Sequence, residues 1–208
     1  MRDVDLQLLV GSEHYPAVVD CVRAATRSVW IATANLKDMM VEDARLVPGR
    51  RRGKAQYGSV LALLGELAGR GVELRVLHAT PPSQAFVRDF DREPRLVAGG
   101  LELRLCPRNH LKLVIVDGRK VYFGSANWTG AGLGAKQDDK RNFELGVLSE
   151  DERLLDATQA LFDGIWRGVH CATCKLRELC PMPLAELEPQ GARPATRALV
   201  RLKPRTER

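Results

Sequence analysis

The chain has 208 residues and a mass of 23.1 kDa, and 45% of its residues are hydrophobic, which suits one substantial core rather than two full domains. No apolar run approaches the length of a membrane span, and the acidic start of the chain, with Asp3 and Asp5, is unlike an export signal. These features predict a cytoplasmic protein without stable membrane association, and the net charge of +6 favours a polyanionic partner such as DNA or RNA.

The first half of the chain predicts alternating helices and strands. Pro16 to Arg27 has the apolar spacing of a helix, and Ser28 to Ala34 that of a strand. A second helix is indicated by apolar residues at helical spacing, namely Val60, Leu61, Leu63, Leu64 and Leu67. Val72 to Leu77 then predicts a strand, Gln84 to Phe90 a short helix, and Leu101 to Leu105 another strand.

The second half predicts a hairpin, a further strand and a last helix. Leu111 to Val116 is a nearly continuous apolar run typical of a strand covered on both faces, and Asp117-Gly118 is a hairpin turn signal before the return strand Val121 to Phe123. Phe143 to Leu148 reads as a strand, and Ser149 with Glu152 as a capping box that opens the last helix. The alternation predicts an α/β layered domain.

Lys112 is the only charge inside the apolar run, and an ammonium group there is costly unless an anion meets it. His110 lies two residues earlier, so the two side chains would share one face of the strand, about 7 Å apart along it. The return strand ends at Gly124, and Ser125 and Asn127 follow with a hydroxyl and an amide that can donate hydrogen bonds. Each residue alone has a purely structural explanation, but the combination predicts a phosphate-binding site.

The pattern His110-x-Lys112-x4-Asp117-x6-Gly124-Ser125-x-Asn127 resembles the HKD signature of the phospholipase D superfamily, and the close match covers residues 110 to 147. The resemblance implies a mixed β-sheet sandwiched between helices and a catalytic set of His110, Lys112, Asp117 and Glu144. It implies that His110 is the nucleophile, that Lys112 and Asn127 bind the phosphate with help from Ser125, and that Glu144 orients the imidazole through its far nitrogen. Asp117 lies on the hairpin, which suggests a structural partner for a donor rather than contact with substrate.

The chemistry of these side chains agrees with that resemblance. A neutral imidazole can attack phosphorus to form a phosphohistidine, while ammonium and amide donors stabilise the charge on the phosphate oxygens, so no catalytic cofactor is required. The remaining histidines, His14, His78 and His170, do not stand two residues before a lysine, so the chain carries one copy of the motif. Since the family's catalytic centre uses two copies, we expect a homodimer with a composite site.

Substrate class is indicated by charge and by the resemblance to the small metal-independent nucleases of the family. A basic loop supplies candidate nucleic-acid contacts at Arg50, Arg51, Arg52 and Lys54, although a solvated surface loop explains it equally well. Trp128 could stack on a base or pack in the core. A nuclease is favoured; the alternatives are a phospholipase D-type hydrolase acting on phospholipid headgroups and a non-catalytic nucleic-acid-binding subunit of a larger complex.

Three cysteines stand close together after the last helix, at Cys171, Cys174 and Cys180. Their density predicts a structural zinc or iron–sulfur site whose fourth ligand is Cys106, Cys21 or His170, with Cys106 preferred. The expected organisation is a catalytic domain at residues 1–168, a cysteine-rich metal knuckle at 169–182, and a basic, proline-rich tail at 183–208 that is extended or disordered.

Overall fold

The structure is a computed structural model that describes residues 4–42 and 57–184. The strands of the described chain are β1 (Gln7–Val10), β2 (Ser28–Thr33), β3 (Met40–Glu42), β4 (Tyr57–Ser59), β5 (Glu73–His78), β6 (Glu102–Leu105), β7 (Leu113–Val116), β8 (Lys120–Gly124) and β9 (Leu145–Ser149). The α-helices are α1 (His14–Arg23), α2 (Val60–Gly69), α3 (Gln84–Phe90) and α4 (Glu152–Trp166).

A seven-stranded mixed sheet forms the centre of the molecule, in the order β1-β9-β8-β7-β2-β5-β6. Strands β2, β5 and β6 run parallel, and the other neighbours in the sheet pair antiparallel. Strands β3 and β4 form a separate two-stranded ribbon. The parallel strands are joined through helices α2 and α3, as crossover connections require.

Helices cover both faces of the sheet, which confirms the predicted sandwich. The larger core lies under α1, α2 and α3, where Val22, Leu64 and Phe86 pack against alternate residues of the strands. The smaller core lies under α4, where Phe162 stacks between Trp30 and Trp166 with ring centroids 5.2 and 5.6 Å away. Burial on both faces explains why the central strand β7 is apolar throughout.

The start of α4 differs from the prediction. The residue that caps the helix is Asp151, whose carboxylate accepts hydrogen bonds from the backbone N–H groups of Arg153 and Leu154 at 3.0 and 3.2 Å. The predicted capping box of Ser149 and Glu152 is therefore wrong. Ser149 still lies in β9, and its hydroxyl accepts from the Asp151 N–H at 3.1 Å, so it holds the residue that does the capping.

The sequence did not reveal strands β1, β3 and β4. Only Leu9 of β1 is buried, because this strand lies at the edge of the sheet and its other side chains face outward. Such a short edge strand has a weak alternating pattern. The other differences are small: the first helix begins at His14 and ends at Arg23, and the ladder of β7 begins at Leu113 rather than Leu111.

Two glycines face each other on β8 and β9, at Gly124 and Gly146. A Cβ on Gly146 would stand 2.6 Å from the Tyr122 ring and 2.9 Å from His14 Nε2. Both rings are buried, with an edge-to-face contact at a centroid distance of 5.6 Å, so they have little room to move. The glycine pair lets these rings lie directly beneath the two strands.

We expect Gly146→Ala to lower the free energy of unfolding by about 1–3 kcal/mol, because the new methyl group overpacks the buried rings. Gly164→Ala is the matched control, since a Cβ at that helical position meets no atom within 4 Å. The control should be neutral or more stable by up to about 1 kcal/mol. Urea unfolding of both variants measures the difference, and equal stability would contradict the close packing beneath Gly146.

Candidate active site

Five residues of the predicted site lie at one end of the sheet, where the parallel strands β2 and β5 have their carboxyl ends. They enter β7, follow β8 or enter β9 at that end: His110, Lys112, Ser125, Asn127 and Glu144. This is the end of an α/β sheet at which ligands usually bind. The hairpin of β7 and β8 and its neighbour β9 thus bring together residues that are up to 34 positions apart in the sequence.

His110 and Lys112 contact each other, as their spacing predicts. The Lys112 Nζ lies 3.1 Å from Nδ1 and 3.2 Å from Nε2 of His110, and it donates to the His110 carbonyl oxygen at 2.9 Å. The pKa of Lys112 lies below its usual value because partial burial disfavours the ammonium form, and the nearby Glu144 carboxylate opposes part of that effect. His110 is exposed to solvent, so a substrate can reach the imidazole.

Asn109 fixes the backbone that carries His110, a role that the sequence did not reveal. Its buried side-chain amide donates to the carbonyl oxygens of Thr33 and Leu77 at 3.0 and 3.1 Å, and its oxygen accepts from the Leu111 N–H at 3.1 Å. These bonds attach the segment to the ends of β2 and β5. The imidazole is therefore presented from a rigid part of the fold.

Asn127 is oriented by its side-chain oxygen. That oxygen accepts from the Thr33 hydroxyl and from the backbone N–H groups of Ala34 and Asn35, at 3.1 to 3.3 Å. Because the oxygen is engaged on one side, the amide NH₂ is left to donate on the other. This arrangement suits a donor to a phosphate oxygen.

Glu144 and Ser125 are joined directly. The Ser125 hydroxyl donates to the Glu144 carboxylate through a short hydrogen bond, and the Asn142 amide donates to the other carboxylate oxygen at 3.0 Å. The Leu145 N–H donates to the Ser125 hydroxyl at 3.0 Å, and the Glu144 carbonyl accepts from the Gly11 N–H at 3.0 Å. Within the described chain no hydrogen bond joins Glu144 to His110, so its role in orienting the imidazole stays a prediction.

Asp117 lies at the opposite end of β7, about 20 Å from His110 for seven residues of largely extended chain. Its carboxylate accepts from the backbone N–H groups of Thr26, Arg27 and Ser28 and from the Thr26 hydroxyl, at 2.7 to 3.1 Å. Asp117 also adopts a positive φ of 56° in the turn. These contacts fit the role of structural partner for donors that its hairpin position suggested, and they place its carboxylate away from His110 and Lys112.

We expect Asp117→Asn to lower the free energy of unfolding by about 1–3 kcal/mol at pH 7, since charge-assisted hydrogen bonds are lost while the shape and the turn conformation are kept. Partial burial raises the pKa of Asp117, but the hydrogen bonds from Ser28, Arg27 and Thr26 outweigh it and hold the pKa below the usual value.

A carboxyl group with a depressed pKa in the folded state stabilises the protein above its unfolded pKa, and that contribution is lost as the pH falls through the folded pKa. The gap between wild type and Asp117→Asn should therefore narrow below about pH 4. Urea unfolding across this range measures it, with Asp156→Asn on the exposed face of α4 as the control. A gap that is constant with pH would contradict a charge-dependent role.

The candidate nucleic-acid contacts are not supported by the described residues. Trp128 is only 2% exposed and packs in the larger core, which favours core packing over base stacking among the two alternatives for this residue. Its ring is covered because the loop after β8 folds back onto β2, where the Trp128 N–H donates to the Thr33 hydroxyl at 2.9 Å. The basic residues Arg50, Arg51, Arg52 and Lys54 lie outside the described residues, as does most of the predicted tail, from residue 185 onward.

The cysteines predicted to bind metal are all free thiols, half-buried, and near one another in the fold. Cys106 follows β6, while Cys171, Cys174 and Cys180 lie in a segment of turns after α4. The Leu176 N–H and the Arg108 guanidinium donate to the Cys174 sulfur and lower the pKa of its thiol. Within residues 4–42 and 57–184, no three Cys, His, Asp or Glu side chains already surround a point at metal-binding distance.

The fold and this site define a phospholipase D-like domain. Residues 18–166 match the family described as "Cardiolipin synthase, PLD-like domain", and the chain belongs to that family. Cardiolipin synthase B of Salmonella typhi is 30% identical over 163 residues, which cover 70% of this chain and 36% of that protein. The chain therefore spans about a third of the length of this relative.

Two solved structures share the fold over almost their whole length. NucT from Helicobacter pylori superposes with a TM-score of 0.55 at 15% identity, covering 79% of this chain and 96% of that one. The phospholipase D family member Nuc from Salmonella typhimurium gives 0.53 at 18% identity, covering 79% and 95%. In the described part of the present chain, no helix has the length and apolar character needed to cross a membrane.

Proposed function

We propose that the chain is a nuclease that hydrolyses phosphodiester bonds of nucleic acids through a phosphohistidine, at an active site completed by a second copy. The observation that carries this proposal is the contact between an exposed imidazole and an ammonium group, His110 and Lys112, 3.1 Å apart at the ligand-binding end of the sheet. Asn127 adds an amide donor at the same end. Together they supply a nucleophile, a cation and a neutral donor for one phosphate group.

The proposed reaction has two displacement steps. An unprotonated nitrogen of His110 attacks phosphorus, and the bond to the leaving oxygen breaks as that oxygen takes a proton from a general acid. Water then attacks phosphorus and gives a proton to the group that acted as the acid in the first step, while the phosphorus–nitrogen bond breaks and releases His110 and the free phosphate end. Lys112 and the Asn127 amide stabilise the negative charge on the phosphate oxygens in both steps.

A second copy of the chain would provide the general acid. The described chain brings no other histidine to this end of the sheet in exposed form, since His14 and His78 are buried and His170 lies after α4. In a twofold dimer the two copies of His110 would face each other, one attacking while the other protonates the leaving oxygen.

An apolar surface beside the site supports self-association. Leu8 and Val10 of β1 and Leu145 of β9 are 56%, 55% and 55% exposed, and they lie on the same face of the sheet edge. Phe143, next to Glu144, is fully exposed. An exposed apolar patch of this kind is typical of an interaction surface, and here it borders the catalytic residues.

A nucleic-acid substrate is favoured by charge. The chain has a net charge of +6, and the exposed Lys37 lies in a loop at the same end of the sheet as His110. Such cations bind phosphate backbones and release counterions. A cytoplasmic setting would keep the thiols reduced and give access to DNA and RNA.

A phospholipid substrate is the second candidate. It is favoured by the 30% identity to a cardiolipin synthase, and the exposed apolar edge of β1 and β9 offers a lipid surface as well as a surface for a second copy. The chemistry at phosphorus would be the same, and the leaving group would be a lipid or headgroup alcohol.

The two candidates separate when the purified chain is incubated, in chelator, with single-stranded DNA, duplex DNA, RNA and vesicles of phosphatidylcholine with cardiolipin. We expect cleavage of a nucleic acid and no change in the lipids. Headgroup release without nucleic-acid cleavage would overturn the proposal in favour of the phospholipase. Tight nucleic-acid binding without turnover on any substrate would indicate a non-catalytic binding subunit.

A further inference from the structure

We propose that Cys106, Cys171, Cys174 and Cys180 bind one structural zinc ion, which fastens the C-terminal segment to the loop that carries His110. Four cysteine thiolates form a closed tetrahedral site of the structural kind, with no position open to substrate. The zinc would therefore take no part in the phosphodiesterase reaction, and the inference does not depend on the proposed function.

The fold brings these four thiols to the lining of one cavity. All four line a single cavity of about 40 Å³ between the end of β6 and the segment after α4. The other two candidates for the fourth ligand do not line it: Cys21 lies on α1, and His170 is exposed.

The segment after α4 contributes no fully buried side chain to either hydrophobic core. None of residues 167–184 is buried, and Val169 and Leu179 are exposed. The segment is nevertheless a series of tight turns, in which cysteine backbones make hydrogen bonds to Gly168, Cys171 and Arg177, and Cys174 accepts from Arg177. Short segments without a core are commonly held by disulfides or metal ions, and these cysteines form no disulfide.

Positive side chains line part of the cavity, and their charge would favour a tetrathiolate zinc site. Four thiolates and one Zn²⁺ carry a net charge of −2, and the lining includes three arginines, Arg104, Arg108 and Arg177. Arg104 lies over the Trp166 ring at 4.6 Å from its centroid, and Arg177 donates to the carbonyl oxygens of Cys171 and Leu184 at 3.2 and 3.1 Å. These cations are held in place and would offset the charge of the site.

Closing the site requires the four cysteine side chains to turn toward one point in the cavity that they share. The described thiols do not yet converge on one point. With Zn–S bonds of about 2.3 Å, the sulfurs of a tetrahedral site stand about 3.8 Å apart. Rotation of a cysteine between staggered χ1 positions moves its sulfur by about 3 Å, and the cavity that the four residues share gives the space for it.

The site would also stiffen the approach to His110. Cys106 lies four residues before His110, its N–H donates to the His78 carbonyl at 2.8 Å, and its own carbonyl accepts from the Asn109 N–H at 2.8 Å. A zinc bond to Cys106 would thus join the C-terminal segment to the same turn that Asn109 anchors. Loss of the metal should loosen residues 104–110 and the segment at 170–180 together.

The test is metal analysis of the full chain purified without chelator from zinc-supplemented cells. We expect about one zinc per chain, and bands of tetrahedral Co²⁺–thiolate coordination when cobalt replaces it. Cys106→Ser and Cys180→Ser should lose the metal, while Cys21→Ser, which changes the cysteine outside the cavity, should retain it. Hydrogen exchange of wild type before and after zinc removal should show faster exchange in both segments.

The exchange and cobalt measurements on wild type keep the proposal testable if a serine variant fails to fold. A chain that contains no zinc, and whose thiols react equally with and without chelator, would overturn it. Iron with acid-labile sulfide would also overturn it, because it would assign the cysteines to a cluster. Zinc retained by Cys106→Ser but lost from Cys21→Ser would place the site elsewhere.

Discussion

His110→Ala should reduce phosphodiester hydrolysis by on the order of 10⁴-fold or more, the effect expected when a covalent nucleophile is removed. The loss should lie in kcat, because Lys112 and Asn127 remain to bind the phosphate group. His110 is exposed and its backbone is fixed by Asn109, so the substitution removes an imidazole without creating a cavity or unpairing a buried group.

Single-turnover kinetics on the preferred substrate measures this effect. His170→Ala is the matched control, since it removes an exposed histidine that lies outside the candidate active site. Reactions quenched in alkaline denaturant and separated on alkaline gels should show label from the substrate attached to the protein. The label should be lost on acid treatment and be absent in His110→Ala. A variant that keeps more than about a tenth of the wild-type rate, or a label that persists in it, would show that another residue is the nucleophile.

Mixtures of wild-type and His110→Ala chains should lose activity faster than the wild-type fraction falls. If one site needs His110 from both copies, a mixed dimer is inactive, and activity follows the square of the wild-type fraction. An equal mixture after full subunit exchange should therefore retain about one quarter of the wild-type activity rather than one half. This follows from random pairing in a twofold dimer.

The control mixture uses His170→Ala in place of His110→Ala and should keep the average of the two activities. Exchange is verified by mass-tagged chains and native mass spectrometry. A linear dependence on the wild-type fraction would show that each chain acts alone. An active species with the mass of a monomer would contradict the composite site directly.

The residues that form the proposed centre were visible in the sequence because they break a local pattern. Lys112 interrupts an otherwise apolar strand, and His110 shares its face, so their contact follows from the two-residue period of an extended chain. Gly124 ends the return strand β8, and Ser125 and Asn127 follow it at the same end of the hairpin. Spacing alone therefore predicted which end of the hairpin carries the site.

The supporting residues were not visible, because their partners are remote in the sequence. The Asn109 amide donates to the carbonyl oxygens of Thr33 and Leu77, which lie 76 and 32 positions away. The residues next to Asn109 in the sequence give no indication of these contacts. The sequence is compatible with Trp128 as an exposed stacking residue or as a core residue. Trp128 is buried because its loop folds back onto β2, a contact that the sequence does not show. Periodicity carries no information about such long-range contacts.

The proposed choice of Cys106 as the fourth ligand also depends on a long-range contact. Of Cys106, Cys21 and His170, it is Cys106 that follows β6, whose end meets the segment after α4. Glu144 lies at the same end of the sheet as the proposed centre. Its hydrogen bonds to Ser125 and Asn142 depend on the register of β8 and β9, which the sequence does not specify.

Strand β1 has a consequence for how the protein can be shortened or fused. It pairs antiparallel with β9, the strand that begins next to Glu144, and so provides hydrogen-bond partners for the backbone along the outer side of β9. Deleting the first ten residues would make β9 the edge strand of the sheet. Its unpaired N–H and C=O groups and the apolar Leu145 would then favour β-pairing with other chains. Truncated forms should therefore aggregate. The deletion does not affect β6, the strand at the opposite edge of the sheet.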